Sequence, residues 1–239
     1  MTAEFYSKNR EKLMDKLEPG SVVLLYSGMA PVKSNDQDMS PFSVNRNFYY
    51  LTGIDTQNVW LLLAKAQVGL RSWLFIDQPD EEIIKWNGKM LTRERASERS
   101  GLKVSSVQYM QDFERYAAMY LSHDVTSVYF SFDRRSMLAA PTRAEELART
   151  IREKFPMIPI KNVAPVISSL RAIKTPEEIE CIRKAGDVTI EALKEKAYSL
   201  VGRPDPLEWE EKVVAVLEAR DGTILDVVRK IKPYSPDER

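Results

Sequence analysis

Apolar positions along the chain recur at two different periods. Over residues 4–17, Phe5, Leu13 and Leu17 return to one face at helical spacing, which predicts an amphipathic helix. Glu18-Pro19-Gly20 stops it, and the apolar run Ser21 to Tyr26 that follows reads as a buried strand. Residues 28–43, rich in Pro, Ser, Asn and Asp, read as an exposed loop. Two more strand-like runs, Val59 to Ala66 and Arg71 to Ile76, flank Gln67-Val68-Gly69 as a hairpin turn. Beyond Pro79, helical patterns near 79–86, 92–99, 110–121 and 141–155 alternate with short strand patterns near 104–108, 126–131 and 158–160. Such alternation predicts an α/β fold around a mixed sheet.

The last third changes character. Thr175-Pro176-Glu177-Glu178 has the form of a capping box, with Pro176 at the first helical position. Ile179, Ile182, Ala185, Val188, Ala192 and Leu193 then take one half of a long helix running to about Leu200. Charged residues, among them Glu180, Arg183, Lys184 and Asp187, take the other half. A second helix is expected from Asp205-Pro206, carrying Trp209, Val213, Val216 and Leu217 and ending at Gly222. The expected division is an α/β domain over residues 1–170 and a linker helix with a helical tail over residues 171–239.

Charge narrows the partners. Among 239 residues, Lys and Arg total 35 and Asp and Glu total 35, so no basic field exists to track phosphate or a membrane surface. Neither nucleic acid nor membrane is an expected partner. Cys181 is the single cysteine, which excludes an intramolecular disulfide and any cysteine-cluster metal site. His123 is the single histidine, so a multi-histidine metal site cannot form from this sequence. The first residues lack a signal-peptide pattern, and the longest apolar run, Val59 to Ala64, is too short to span a bilayer. A cytoplasmic protein is the expectation.

Asn45-Arg46-Asn47-Phe48-Tyr49-Tyr50-Leu51-Thr52-Gly53 is the most distinctive string. It reads as a helical turn that docks aromatics on the sheet and ends at Gly53, or as an interface presenting Arg46 or Asn47. Ser34-Asn35-Asp36-Gln37-Asp38 lacks the Gly and terminal Glu of an EF-hand loop and reads as a solvated turn. Trp86, before Asn87-Gly88 at the end of a short helix, fits core packing or surface contact equally. His123 reads as a surface cation at a helix C-terminus, Cys181 as an inert small hydrophobe, and Arg93 to Arg99 as a solvated mixed-charge face.

Several strings together resemble the N-terminal half of Xaa-Pro aminopeptidases, in the group that also holds prolidase and creatinase. They are Phe5 with Asn9-Arg10, Ser34-Asn35-Asp36, Asn47 to Gly53, Trp86-Asn87-Gly88-Lys89, Leu170 to Ile179 and Ile182-Arg183-Lys184-Ala185, in family order. The resemblance implies a creatinase/prolidase-type, ribonuclease-H-like N-terminal domain that shapes oligomers and covers a neighbour's active site. By that resemblance Trp86 matches a position where, in some members, a Trp reaches a partner's substrate pocket; Arg46 and Asn47, from their own string, join it as pocket or interface candidates. In the family, a following pita-bread domain holds two manganese ions with two Asp, one His and two Glu. Residues 201–239 contain no His and match the family poorly, so this chain is expected to bind no cofactor and to be inactive by itself. Its expected partner is another copy or an intact family member. A non-catalytic assembly module is the alternative, and an independent enzyme using Asp36, Asp38 and Glu81 or Glu82 is the weakest reading.

Overall fold

The computed structural model describes residues 1–30, 42–65, 69–132 and 138–200. Among them, β1 (Ser21–Tyr26), β2 (Trp60–Lys65), β3 (Leu70–Ile76), β4 (Val107–Tyr109), β5 (Ser127–Phe130) and β6 (Ile160–Asn162) form one sheet, in the order β4-β3-β2-β1-β5-β6. β2 runs antiparallel to both β1 and β3, whereas the β1–β5, β5–β6 and β3–β4 pairs are parallel. The sheet is mixed, as the alternation of elements predicts. β1 is buried at every position, which requires cover on both faces.

Period-two alternation divides that cover. Val23, Leu25, Leu61, Leu63, Leu74 and Ile76 point to one face. There they meet α1 (Ala3–Asp15), α2 (Arg46–Thr52), α4 (Arg93–Ser100) and α7 (Ala164–Ala172), through Leu13, Phe48, Ala96 and Ile167. Val22, Leu24, Leu62, Phe75, Val128 and Phe130 point to the other face, towards α5 (Phe113–Leu121) and α6 (Arg143–Lys154). The result is a three-layer sandwich with an apolar cluster on each side of the sheet. α3 (Glu81–Asn87) belongs to neither cluster, and its described side chains are exposed.

The structure departs from the periodicity in three places. Residues 104–106 form a 3-10 turn rather than the start of a strand, and β4 begins only at Val107, where pairing with Leu74 of β3 becomes available. β6 sits later than expected, because its ladder partners are Val128 to Phe130 of β5. α7 has no counterpart among the helices that periodicity predicts. Its start is masked by Pro165, which is tolerated in a first helical turn, and its place is secured by the fully buried Val163 and Ile167.

The chain divides into two compact units, Met1–Thr175 and Pro176–Arg239. The described part of the second is α8 (Pro176–Leu200). The second helix expected over residues 206–221 and the turn at residues 34–38 lie outside the described residues.

Candidate functional site

α2 carries the distinctive aromatic string and is fastened at both ends. At its start the Asn45 side chain accepts from the backbone N–H groups of Asn47 (2.9 Å) and Phe48 (3.2 Å), as an N-cap does. At its end Gly53 takes the left-handed conformation at φ 68°. The last carbonyls are claimed by α1. Asn9 Nδ2 donates to Tyr50 O at 3.1 Å and Arg10 Nη1 donates to Leu51 O at 2.7 Å. A buried cation thus faces the negative end of the helix dipole. Burial pushes the Arg10 guanidinium down from its ordinary range to about 10.

Asn47 is buried between two further elements. Its Nδ2 donates to Ser131 Oγ at 3.0 Å, just after β5, and its Oδ1 accepts from Arg171 Nη1 of α7 at 2.7 Å. One amide therefore ties α2 to the end of β5 and to α7. Arg46, one residue earlier, is exposed in the first turn of α2. Trp86 lies on a separate helix, α3, capped by Asp80 and followed by Gly88; its side chain lies outside the described residues. The three nominated residues are thus an exposed cation, a buried tie, and an indole placed only by its backbone.

A cleft of about 590 Å³ opens at the carboxyl ends of β1 and β5, lined by Tyr26, Asn45, Ser131, Phe132, Thr142 and Arg143 among others. A polar relay borders it. Tyr26 Oη (3.1 Å) and Arg143 Nη1 (2.7 Å) both donate to Asn58 Oδ1, and Asn58 Nδ2 donates to Asp77 Oδ1 at 2.7 Å. Burial raises the Tyr26 phenol, against the opposing pull of Arg143. Glu145, also in the lining, is engaged in the capping box of α6, accepting from the Thr142 N–H at 2.8 Å. The cleft thus offers a guanidinium, hydroxyls and apolar surface, which suits binding rather than proton transfer near neutral pH. Sequence reasoning missed Tyr26, Asn58 and Arg143. The one local signal was Asn58, whose φ of 57° suits an Asn.

Other candidates fall apart spatially. Asp36 and Asp38 lie outside the described residues, and Glu81 and Glu82 are exposed on the first turn of α3. His123 is exposed, with Nδ1 2.9 Å from Met119 O at the end of α5. Among the described residues no three His, Cys, Asp or Glu side chains gather into a metal-binding group. No described helix is long and apolar enough to cross a membrane.

The fold and the motif contacts that fasten it define an α/β domain of the kind that aminopeptidase P proteins carry at the N-terminus. The profile of the aminopeptidase P N-terminal domain matches residues 6–129, more than half of the chain, and the chain belongs to that family. Xaa-Pro aminopeptidase of Haemophilus influenzae is 28% identical over 207 residues, which is 87% of this chain and 45% of that protein. A Bacillus anthracis structure assigned as an aminopeptidase P is 36% identical with a TM-score of 0.76, covering 81% of this chain and 46% of that one. Escherichia coli aminopeptidase P, 23% identical with a TM-score of 0.67, shares the fold. The chain thus spans less than half the length of these relatives.

A second resemblance begins where the first weakens. The profile of the citrate lyase alpha subunit matches residues 167–231. The citrate lyase alpha chain of Klebsiella pneumoniae is 45% identical over 56 residues, 23% of this chain and 11% of that one. Residues 201–239, poor in aminopeptidase motifs, therefore fall largely under a different likeness.

Proposed function

We propose that this chain is the substrate-pocket and oligomerisation portion of a Xaa-Pro aminopeptidase-type metallopeptidase and does not hydrolyse peptides by itself. The observation that carries this reading is the aminopeptidase P N-terminal domain over residues 6–129. Supporting it, α3 presents exposed Ile83 and Ile84 on the helix that bears Trp86, and Arg46 is exposed on α2, so both helices have side chains to offer a second chain. Asn47 serves the same surface indirectly, by fixing α2 through Ser131 and Arg171. Manganese chemistry belongs, in this reading, to a separate catalytic domain, since one His in 239 residues does not fit a two-metal, imidazole-containing centre. The chain works in the cytoplasm as a homo-oligomer or with an intact family member.

The test is hydrolysis of a Xaa-Pro peptide with added manganese, with and without an intact aminopeptidase P. The chain alone is expected to show no turnover and to alter the turnover of the intact enzyme. Proline-dependent turnover by the chain alone would overturn the proposal. A second reading, a non-catalytic assembly module, draws support from the citrate lyase match, because that profile describes one subunit of an enzyme. Association with a purified citrate lyase in sedimentation, and none with the aminopeptidase, would favour it.

A further inference from the structure

α4 carries its charges in two stripes. Arg95 and Arg99 stand at i and i+4, and Glu94 and Glu98 form a second such pair, about 100° round the helix. Only the basic stripe faces a cavity. A hollow of about 140 Å³ is lined by Arg95 and Arg99, by Lys89 from the stretch between α3 and α4, and by Asp55 and Thr56 from the stretch after α2. Neither Glu94 nor Glu98 lines it. The fold thus sorts the mixed-charge face that the sequence suggests. Among the described residues the side chains of Lys89, Arg95 and Asp55 have no hydrogen-bond or ion-pair partner, and Arg99 uses one N–H on Gly53 O at 3.3 Å.

We propose that this hollow binds inorganic phosphate, with Lys89, Arg95 and Arg99 holding the ion and Asp55 accepting from its remaining P–OH group. The inference is independent of the peptidase reading. Three cations against one carboxylate leave the lining with a surplus of positive charge, and like charges converging on one hollow concentrate an anion there. The hollow is well below the roughly 300–1,000 Å³ that a drug-sized ligand needs, so a single tetrahedral ion suits it. Each guanidinium offers paired donors to two oxygens, Lys89 a compact charge, and the Thr56 hydroxyl a further donor. Asp55 decides which oxyanion is taken. A carboxylate repels a bare oxyanion but accepts a hydrogen bond from one that keeps a proton. Hydrogen phosphate keeps one near neutral pH, whereas sulfate keeps none, and a phosphate monoester loses its own once past its second ionisation at about 6. A bound ion joins the stretch after α2 to the one that leaves α3, so phosphate also braces the connection behind Trp86.

Isothermal titration calorimetry of the full chain tests this, at about pH 8 and fixed ionic strength, with inorganic phosphate, sulfate and glycerol 3-phosphate as titrants. The chain is expected to bind one phosphate, and to bind sulfate and the ester about tenfold more weakly or worse. Lys89→Gln and Arg95→Gln each remove one charge-assisted bond and should weaken phosphate about tenfold or more. Arg149→Gln, exposed on α6 across the sheet from the hollow, should leave phosphate binding unchanged. Asp55→Asn, whose amide can donate to a bare oxygen, should bring sulfate to within about threefold of phosphate. Absence of saturable phosphate binding in the millimolar range would overturn the proposal. So would equal weakening in Lys89→Gln, Arg95→Gln and Arg149→Gln, which is the mark of net charge alone. Sulfate or the ester binding the unaltered chain as tightly as phosphate would overturn it too, by removing the role given to Asp55. Lys89 and Arg95 are both exposed, and should either variant fail to fold, the other decides in its place.

Discussion

Arg10 offers a sharp test of how α1 and α2 are joined. Its side chain is buried and donates to Leu51 O at 2.7 Å, and among the described residues no carboxylate forms a salt bridge to it. The fall from the ordinary guanidinium range to about 10 corresponds to a burial cost of about 3 kcal/mol for the charged form. Against this stand a charge-assisted hydrogen bond of about 1.5–3 kcal/mol and about 1 kcal/mol for a cation at a helix C-terminus. The opposing contributions nearly cancel, so the charge adds little net stability. Arg10→Met keeps the apolar stem and relieves the buried charge but leaves the Leu51 carbonyl without its donor, and should cost about 1–2 kcal/mol. Arg10→Ala also deletes the stem and leaves a cavity, and should cost about 2–3 kcal/mol more than the methionine. Urea unfolding followed by tryptophan fluorescence reads this, because the buried Trp60 and half-buried Trp73 report on the sheet that α1 covers. If Arg10→Met is as damaging as Arg10→Ala, the bond to Leu51 outweighs the packing and the reasoning is wrong.

Three further outcomes follow from the same geometry. Gly53→Ala should cost about 2–4 kcal/mol in the same assay, since a Cβ at φ 68° is strained and would fall on the Tyr6 ring, which is held edge-on by Phe5 and Tyr49; a loss below about 1 kcal/mol would show that the ring gives way. Asn47→Leu should cost about 2 kcal/mol by stranding Ser131 and Arg171, whereas Asn47→Asp, still an acceptor for Arg171, should stay close to wild type; unchanged stability in Asn47→Leu would free Asn47 for a direct contact role. Above pH 10.0 the unfolded chain loses the Tyr26 proton while the folded chain, with its raised phenol, keeps it, so this residue withdraws stability as pH rises. Arg10 acts with the opposite sign: above about 10, where the folded chain gives up this proton before the unfolded chain does, stability rises with pH. The stability difference should therefore move in favour of Tyr26→Phe over wild type as pH rises above 10.0, and a flat difference would contradict the burial of that phenol.

Legibility followed the strength of local signals. β1 and β2 were plain in the sequence because strands buried on both faces are unbroken apolar runs, and α2 was plain because Asn45 and Gly53 mark its two ends. β4 and β6 are three residues each, too short for a period, and exist because β3 and β5 offer them ladder partners. The cleft was hidden for a similar reason. Tyr26, Asn58, Asp77 and Arg143 lie far apart in sequence, and only the folded sheet brings the phenol, amide, carboxylate and guanidinium into one relay.

The strings that reveal the family turn out to answer one another. Asn9-Arg10 on α1 supplies the donors for Tyr50 and Leu51, and Asn47, within the second string, takes the guanidinium of Arg171 from the third. Tyr50 adds a further tie to that third string, its hydroxyl donating to Leu170 O at 3.4 Å. Three motifs separated by some 40 and 120 positions are thus one joint, α1 to α2 to α7. A joint of buried, mutually satisfied polar groups specifies a single docking of these helices, because each partner left unpaired would carry its desolvation cost. The family resemblance therefore follows the requirements of folding at these positions, and the surface available for recognition has to be sought beside the joint. There, Arg46 stands exposed one residue from Asn47, and the cleft that Asn45 lines opens next to Ser131.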